Sequence, residues 1–520
     1  MRVFFPVVLF LLLSSQSISQ DLFYPELRPL YNEALAPFYF GVASGDPLPE
    51  AVVIWTKIIP KSAGSQSVGW EMATDSLMQH VAQSGTTSTD STSAFTVKVD
   101  VPSLSPGTIY FYRFKYKDKY SPIGRTKTAP SGDPSMLRLA IVSCADYQGG
   151  YYNAFEDIAK RNDLDAVVHL GDYIYEYGVW RGGRKRMMKN RVREHIPDKT
   201  CTTLKDYRTR YGQYRLDQQL CEAHRLQPFI VIWDDHEIAN NTSVNGPDGQ
   251  DGPEWEQRKA AAKQAYFEWM PIRENPERSI VRKFTYGSLA ELWMLDGRLA
   301  GRSPQAKGID DPDLPSTQRH MLGEAQTEWL LKGINNSTAK WKIIGNQVIF
   351  SHLNDSKVFD RRPEIRMDRW DGYPAEQQHI LDFFAENNLK NIIVVTGDVH
   401  TSWAFDLTAD PSNPEIYDRK TGKGVFGAEF TTPSVTSFNF DEVVPKIISA
   451  EAKRRFKKKK NNPHLRYLDL NNHGYLLLTL TPEKAQADWY FVKTKKRVDD
   501  RVKCKASRFL LYNGNMVRKK

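Results

Sequence analysis

Four short stretches of this chain, residues 137–142 (LRLAIV), 166–170 (AVVHL), 228–233 (PFIVIW) and 391–395 (NIIVV), each run directly into side chains of the kinds that can hold metal ions. The first is followed by Ser143, Cys144, Ala145 and Asp146, and the second by Gly171, Asp172 and Tyr175. The third leads into Asp234, Asp235, His236 and Glu237, then Asn240 and Asn241, and the fourth reaches Gly397, Asp398 and His400. Mainly apolar runs of this length, bounded by turn residues, read as buried strands. Open α/β sheets keep their chemistry at the carboxyl ends of such strands. Ligands drawn from several strand ends converge in space, as a two-metal site requires; two ions about 3.5–4 Å apart clamp the attacking and leaving oxygens of an in-line displacement. Each piece has a bland explanation by itself. Cys144 reads equally as a small buried hydrophobe, and Asp234-Asp235 as a helix cap. Asp398 and His400, two apart on extended backbone, face one side. The four together are not explained by caps and core packing.

Within 166–176, Asp172 and Tyr175 stand three residues apart. A phenol has an ordinary pKa of about 10, so Tyr175 binds as phenolate only to a strongly charged cation.

The chain has 520 residues, enough for two or three domains, and its 40% hydrophobic and 26% charged content is that of globular protein. Residues 1–19 place Arg2 before an apolar run, 3–13, and then small polar residues, which is the order of a secretory signal peptide. That run is too short to span a bilayer and no later segment is long enough, so a secreted or periplasmic protein without a transmembrane segment is expected. The formal charge of +9 is concentrated in 181–193 (RGGRKRMMKNRVR) and 453–460 (KRRFKKKK). The second reads as a solvated loop. The first follows the Asp172/Tyr175 stretch and reads as a patch that attracts anionic substrate. No nucleic-acid-binding motif accompanies either, so no specific nucleic-acid partner is expected. Four cysteines are too few for a disulfide scaffold; Cys201 and Cys221 are candidates to pair in an oxidising compartment.

Residues 37–130 carry strand-like runs at 51–58, 94–101 and 109–116, separated by turn signals, and read as a small β-sandwich. After a linker at 130–134, residues 135–520 alternate strands with helix candidates at 153–161, 254–270, 324–335 and 375–387, a pattern in which helices cover a buried sheet. The strand-like runs 474–480 and 487–492 are expected to extend that catalytic sheet.

The motifs SC (143–144), GDYIYE (171–176), WDDHE…NN (233–237, 240–241) and GDVH (397–400) resemble those of the PhoD-type alkaline phosphatases, exported members of the calcineurin-like metallophosphoesterases related to purple acid phosphatases. ASGDP (43–47), VVIWTK (52–57), DYRTRYGQYRLD (206–217) and NNHGYLLLTLT (471–481) extend the resemblance over nearly the whole chain after the leader. The resemblance implies an α/β fold, a metallophosphoesterase-type β-sheet core flanked by helices, preceded by a fibronectin-III-like β-sandwich. It implies Fe3+ paired with Ca2+, with another divalent pair as the alternative. Cys144, Asp172, Tyr175 and His400 would hold the iron, and Asp234, Asn241 and Asp398 the calcium, with Asp172 shared. Thiolate, phenolate and imidazole suit the stronger Lewis acid, and carboxylate and amide oxygens suit calcium. Because an Asn-His pair occupies the corresponding position in related enzymes, the choice between Asp234 and Asp235 as ligand stays open; Asp235 and His236 are the catalytic candidates, and His236 is expected to contact the phosphoryl group or help protonate the leaving group. Arg208 and Arg215 are candidates to bind phosphate bidentately.

The expected activity is release of inorganic phosphate from phosphomonoesters by hydroxide held on the metal pair, in a monomeric enzyme. Two rivals are hydrolysis of phospholipid or nucleotide diesters, and an exported binding protein holding metal structurally. Structural metal sites are usually closed, and the open ligand set here argues against the binding protein.

Overall fold

Strand pairing turns the four runs into a frame. The structure, a computed structural model, describes residues 24–180, 190–247, 251–355, 367–458 and 460–518. The expected signal peptide (1–19) and most of the basic run 181–193 lie outside the described residues. Leu137–Val142, Ala166–His169 and Pro228–Val231 lie side by side and parallel, with Val168 between Ile141 and Ile230. They form the middle of a ten-stranded sheet. Gly474–Leu480 pairs antiparallel with Leu137–Val142, and Lys484–Val492, Val502–Leu511 and Met516–Arg518 continue outward, so the C-terminal strands extend this sheet. The fourth run is elsewhere. Ile392–Thr396 lies in a seven-stranded sheet, parallel to Trp341–Asn346 and Gly427–Thr431 on either side.

The sheet core is therefore two stacked sheets, and strand periodicity shows how they stack. Side chains alternate faces along a strand. Ile343, Ile393 and Val395 join Ile141, Val168, Ile230 and Leu476 of the ten-stranded sheet in one core. Their neighbours Ile344, Ile392 and Val394 face the other way, onto Leu330 and Ile334 of helix Glu324–Asn336 and Ile380 and Phe384 of helix Pro374–Glu386. Strands buried on both faces read as continuous apolar runs. On the outer face of the ten-stranded sheet lie Asn153–Lys160 and Gln218–Leu226, where His224 stacks on Phe229 at 3.8 Å. Beside them lie Leu204–Arg215 and Pro253–Trp269, the former held at its start by a Thr203–Asp206 capping box.

The N-terminal β-sandwich has its own core, with Val68, Met72 and Phe114 facing Ile54, Val97 and Val101. One of its two layers is not separate. Val42–Gly45, Val52–Lys57 and Thr96–Val101 continue the ten-stranded sheet, because Val42–Gly45 pairs parallel with Pro228–Val231. This pairing covers what would be an open sheet edge. Cys201 and Cys221 are not bonded to each other: all four cysteines are free, and the Cys221 Sγ packs against the backbone at Phe40 and Gly41. Among the described residues no helix is long and apolar enough to cross a membrane.

Candidate metal centre

The loops after the three central strands of the ten-stranded sheet meet the loop after Ile392–Thr396 of the other sheet at one seam. Backbone bonds lock the first two loops together: Cys144 N donates to Gly171 O at 3.1 Å, and Ala145 N to Asp172 O at 2.8 Å. Gly171 has φ +102°, and a Cβ there would stand 2.4 Å from the Asp234 nitrogen, so only glycine permits this approach. Cys144, Asp172, Asn241, Asp398 and His400 all have φ between +56° and +60°. Five of the seven candidate ligands thus sit in a backbone region that side chains other than Gly occupy only at a cost. Such strain persists where the surroundings over-determine it.

Three sets of side chains each bring one ligand atom per residue within 4.8 Å of one another: Cys144, Asp172 and His400; Asp172, Asp235 and His236; Asp234, Asp235 and Asp398. Asp172 belongs to the first two sets and Asp235 to the last two, so the cluster is continuous. The Tyr175 hydroxyl lies in the first set, donating to Asp172 Oδ2 at 2.8 Å and standing 3.2 Å from His400 Nε2. Tyr173 is turned away, its hydroxyl 2.9 Å from His224 Nε2. The His400 Nδ1–H donates to Phe438 O at 2.9 Å, which leaves Nε2 as the lone-pair nitrogen facing the cluster. Asn241 is placed here through its backbone, N–H to Asp235 Oδ2 at 2.6 Å.

The charges are arranged at high cost without a cation. Burial first, then Asp235 and Asp234, push the Asp172 carboxyl well above the usual carboxylate range, against the pull of His236. Burial likewise raises Asp234, opposed by Arg298 and assisted by Asp235 and Asp398. Asp398 is pushed up to about 7, by burial and then by Asp368. Burial also disfavours ionised Asp235, but His236 and Arg298 outweigh it and hold that carboxyl well down. Burial and Asp172 raise both the Cys144 thiol and the Tyr175 phenol. His236 runs the other way: burial would lower its pKa, yet Asp235, Glu176 and Asp172 together raise it well above the ordinary value.

The residues present fit metal ions. Asp234 Oδ2 and Asp235 Oδ1 are buried without a hydrogen-bond partner, and buried carboxylate oxygens are normally satisfied or bind a cation. The donors fall into a thiol–phenol–imidazole side and a carboxylate side.

Three supporting residues were not assigned roles from sequence. Glu237 accepts from the backbone N–H groups of Asp172 at 3.0 Å, Tyr173 at 2.7 Å and Asp234 at 2.9 Å, stapling two of the loops. Glu176 receives His236 Nδ1 at 2.8 Å. Arg298, fully buried, donates Nε to Asp234 Oδ1 at 2.5 Å and its two Nη groups to Asp368 at 2.7 and 3.0 Å. Both glutamates lie inside the sequence motifs. Arg298 follows Ala290–Met294, another strand ending on this side, but its approach depends on the second sheet. Arg208 and Arg215 are not brought to the cluster. Arg208 forks onto Glu268 at 2.6 and 2.7 Å, and Arg215 lies 4.6 Å over the Trp55 ring with Nη2 on Phe40 O. Of the basic run, the described Arg193 stacks 3.6 Å over Tyr147 and pairs with Asp217.

A cluster of acids, imidazoles and a thiol at the seam of two stacked sheets defines a class, an α/β protein with a metal-binding site. Comparisons with known proteins make the class particular. Residues 139–489 match the PhoD-like phosphatase family, and residues 28–130 match the N-terminal domain of PhoD-like phosphatases. Alkaline phosphatase D of Bacillus subtilis (strain 168) is 37% identical over 501 residues, covering 91% of this chain and 80% of that protein. A solved structure of PhoD superposes with a TM-score of 0.82 and 34% identity, over 94% of this chain and 93% of its own. The chain belongs to the PhoD-like phosphatase family and is a phosphoric ester hydrolase.

Proposed function

We propose that this phosphatase is exported, acts on phosphomonoesters, and uses a ferric ion beside a calcium ion. The observation that carries the reading is the division of the cluster: Cys144, Tyr175 and His400 on one side of Asp172, and Asp235, Asp234 and Asp398 on the other. The first set would hold iron and the second, with Asn241, calcium, and Asp172 would serve both. Such a pair, when bound, supplies Lewis-acid stabilisation of phosphoryl charge and a nucleophile at neutral pH. Each of the adjacent acids has one engaged oxygen, Asp234 Oδ1 on Arg298 and Asp235 Oδ2 on Asn241 N–H, and one oxygen left for a cation, so both stand as candidate ligands.

The remaining roles fall to the chain itself. Glu176 orients His236 through Nδ1 and helps keep the ring protonated, so Nε2–H is available to the phosphoryl oxygens or the leaving group. The Tyr175 ring stacks on His236 at 4.1 Å and limits its rotation. Arg298 holds Asp234 in place from behind. Export rests on residues 1–19.

The test compares p-nitrophenyl phosphate with the bis-ester, with and without chelator. The reading predicts a higher kcat/KM on the monoester and loss of both rates on chelation. Preference for the bis-ester would replace the substrate class, and chelator-resistant turnover would remove the metals.

A further inference from the structure

The segment that leaves the metal centre differs from the rest of the surface. Phe438, whose carbonyl receives the His400 ring N–H, leads into helix Phe440–Val443 and then helix Lys446–Phe456. The second helix seats itself by a small stripe: Ser449, Ala452 and Phe456 are buried, and Ser449 Oγ donates to Asn471 Oδ1 at 2.9 Å. Successive helical residues turn by about 100°, so Ile447 and Ile448 fall outside that stripe. They are 80% and 50% exposed, and Val443 is 46% exposed. A surface helix normally turns its large aliphatic side chains to the core. Single exposed aliphatics are ordinary, but here three fall between positions 443 and 448.

Basic residues flank them in the chain, Lys446 beside them and a lysine run beyond the far end of the same helix. Residues 440–460 hold eight Lys or Arg against three acids, Asp441, Glu442 and Glu451. Glu442 is taken by Lys495 and His473, and Glu451 by Arg454 and Arg455. Lys446, Lys457, Lys458 and Lys460 are exposed. The run 453–460, read from sequence as a solvated loop, is thus in part the end of a helix that presents an aliphatic tip. Aliphatic side chains that enter the headgroup boundary, with lysines to meet anionic headgroups, are the make-up of an interfacial membrane element.

We propose that Val443, Ile447 and Ile448, with Lys446, Lys457, Lys458 and Lys460, dock this enzyme peripherally on an anionic phospholipid bilayer. Charge complementarity selects an anionic surface, and the aliphatic tip selects a bilayer, because a hydrophilic polyanion offers Ile447 nothing to bury against. The docking surface begins five residues after the carbonyl that orients His400.

The test is co-sedimentation of the full chain with vesicles of phosphatidylglycerol and phosphatidylcholine, 1:1, against phosphatidylcholine alone. Binding to the anionic vesicles only is expected. Ile447→Ser with Ile448→Ser keeps the charge and should weaken binding at least tenfold. One basic group near such a surface is worth about fivefold in affinity, so Lys457→Gln, Lys458→Gln and Lys460→Gln together should weaken it about a hundredfold. Hydrolysis of soluble p-nitrophenyl phosphate should be unchanged in both variants, which also shows that they fold. Wild-type protein left in the supernatant of anionic vesicles would overturn the proposal. So would isoleucine variants that bind like wild type while heparin displaces both equally, an outcome that would assign the surface to soluble polyanions.

Discussion

Glu237 is the support whose removal is easiest to price from the structure. Its Oε2 accepts from Asp172 N and Asp234 N, and its Oε1 from Tyr173 N, all in buried backbone. Glu237→Gln offers one oxygen in place of two. Its best orientation keeps the Asp172 and Asp234 bonds and turns an NH2 toward the Tyr173 N–H, leaving one buried donor unsatisfied, at about 1–3 kcal/mol. Glu237→Ala orphans all three donors; after partial relaxation the cost should be about 5 kcal/mol, comparable with the total stability of many domains. The same loss should appear locally. In Glu237→Gln, amide hydrogen exchange across 171–176 should speed up by roughly 10- to 100-fold, the equivalent of about 1.4–2.8 kcal/mol, while the strands of the seven-stranded sheet keep their protection. Because the two stapled loops carry Asp172 and Asp234, kcat on p-nitrophenyl phosphate should fall at least tenfold. Wild-type exchange and wild-type kcat in Glu237→Ala would refute the reasoning outright.

Three further outcomes follow from the same geometry. Arg298→Met removes one cation from between Asp234 and Asp368 and should cost about 3–5 kcal/mol, seen as lost soluble yield or a lower melting temperature; Arg298→Lys, which cannot fork, should fold but lose kcat. Arg208→Gln breaks the fork onto Glu268 and the bond to Thr92 O and should cost about 1.5–3 kcal/mol in urea unfolding, with kcat and KM unchanged. In chelated protein Asp398 stands at about 7 against about 3.9 unfolded, so its contribution is fully present below about pH 4 and is lost as pH rises through about 7. Urea midpoints with chelator should therefore fall between pH 5 and 8.5, and metal-replete protein should not show this fall.

The strands were legible because burial on both faces leaves an apolar run whatever the sheet, and their ends could be read from the acids, Gly and His that follow. For the same reason the runs did not reveal that the fourth belongs to a second sheet: Ile392–Thr396 and Ala166–His169 are equally apolar, and only pairing separates them. Helices Leu204–Arg215 and Gln218–Leu226 were hidden in a polar, tyrosine-rich segment whose buried face includes Arg210 and Arg215. At the site, the motif positions gave the clustered side chains, and the structure sorts Tyr175 from Tyr173 by their partners, His400 and His224. Arg208 and Arg215 illustrate the limit of charge as a guide. An arginine near a motif reads as a phosphate ligand, whereas burial against Glu268 and Trp55 commits both side chains elsewhere.

Elemental analysis of the purified protein, read together with its visible spectrum, tests the proposed ferric–calcium pair most directly. The Tyr175 phenol is buried beside Asp172, which raises its pKa well above the ordinary value, so only a strongly charged cation would ionise it. The account predicts about one iron and one calcium per chain and a phenolate-to-iron absorption band that Tyr175→Phe abolishes and Tyr173→Phe retains. Colourless wild-type protein carrying stoichiometric zinc, or a Tyr175→Phe enzyme that keeps both colour and rate, would contradict it.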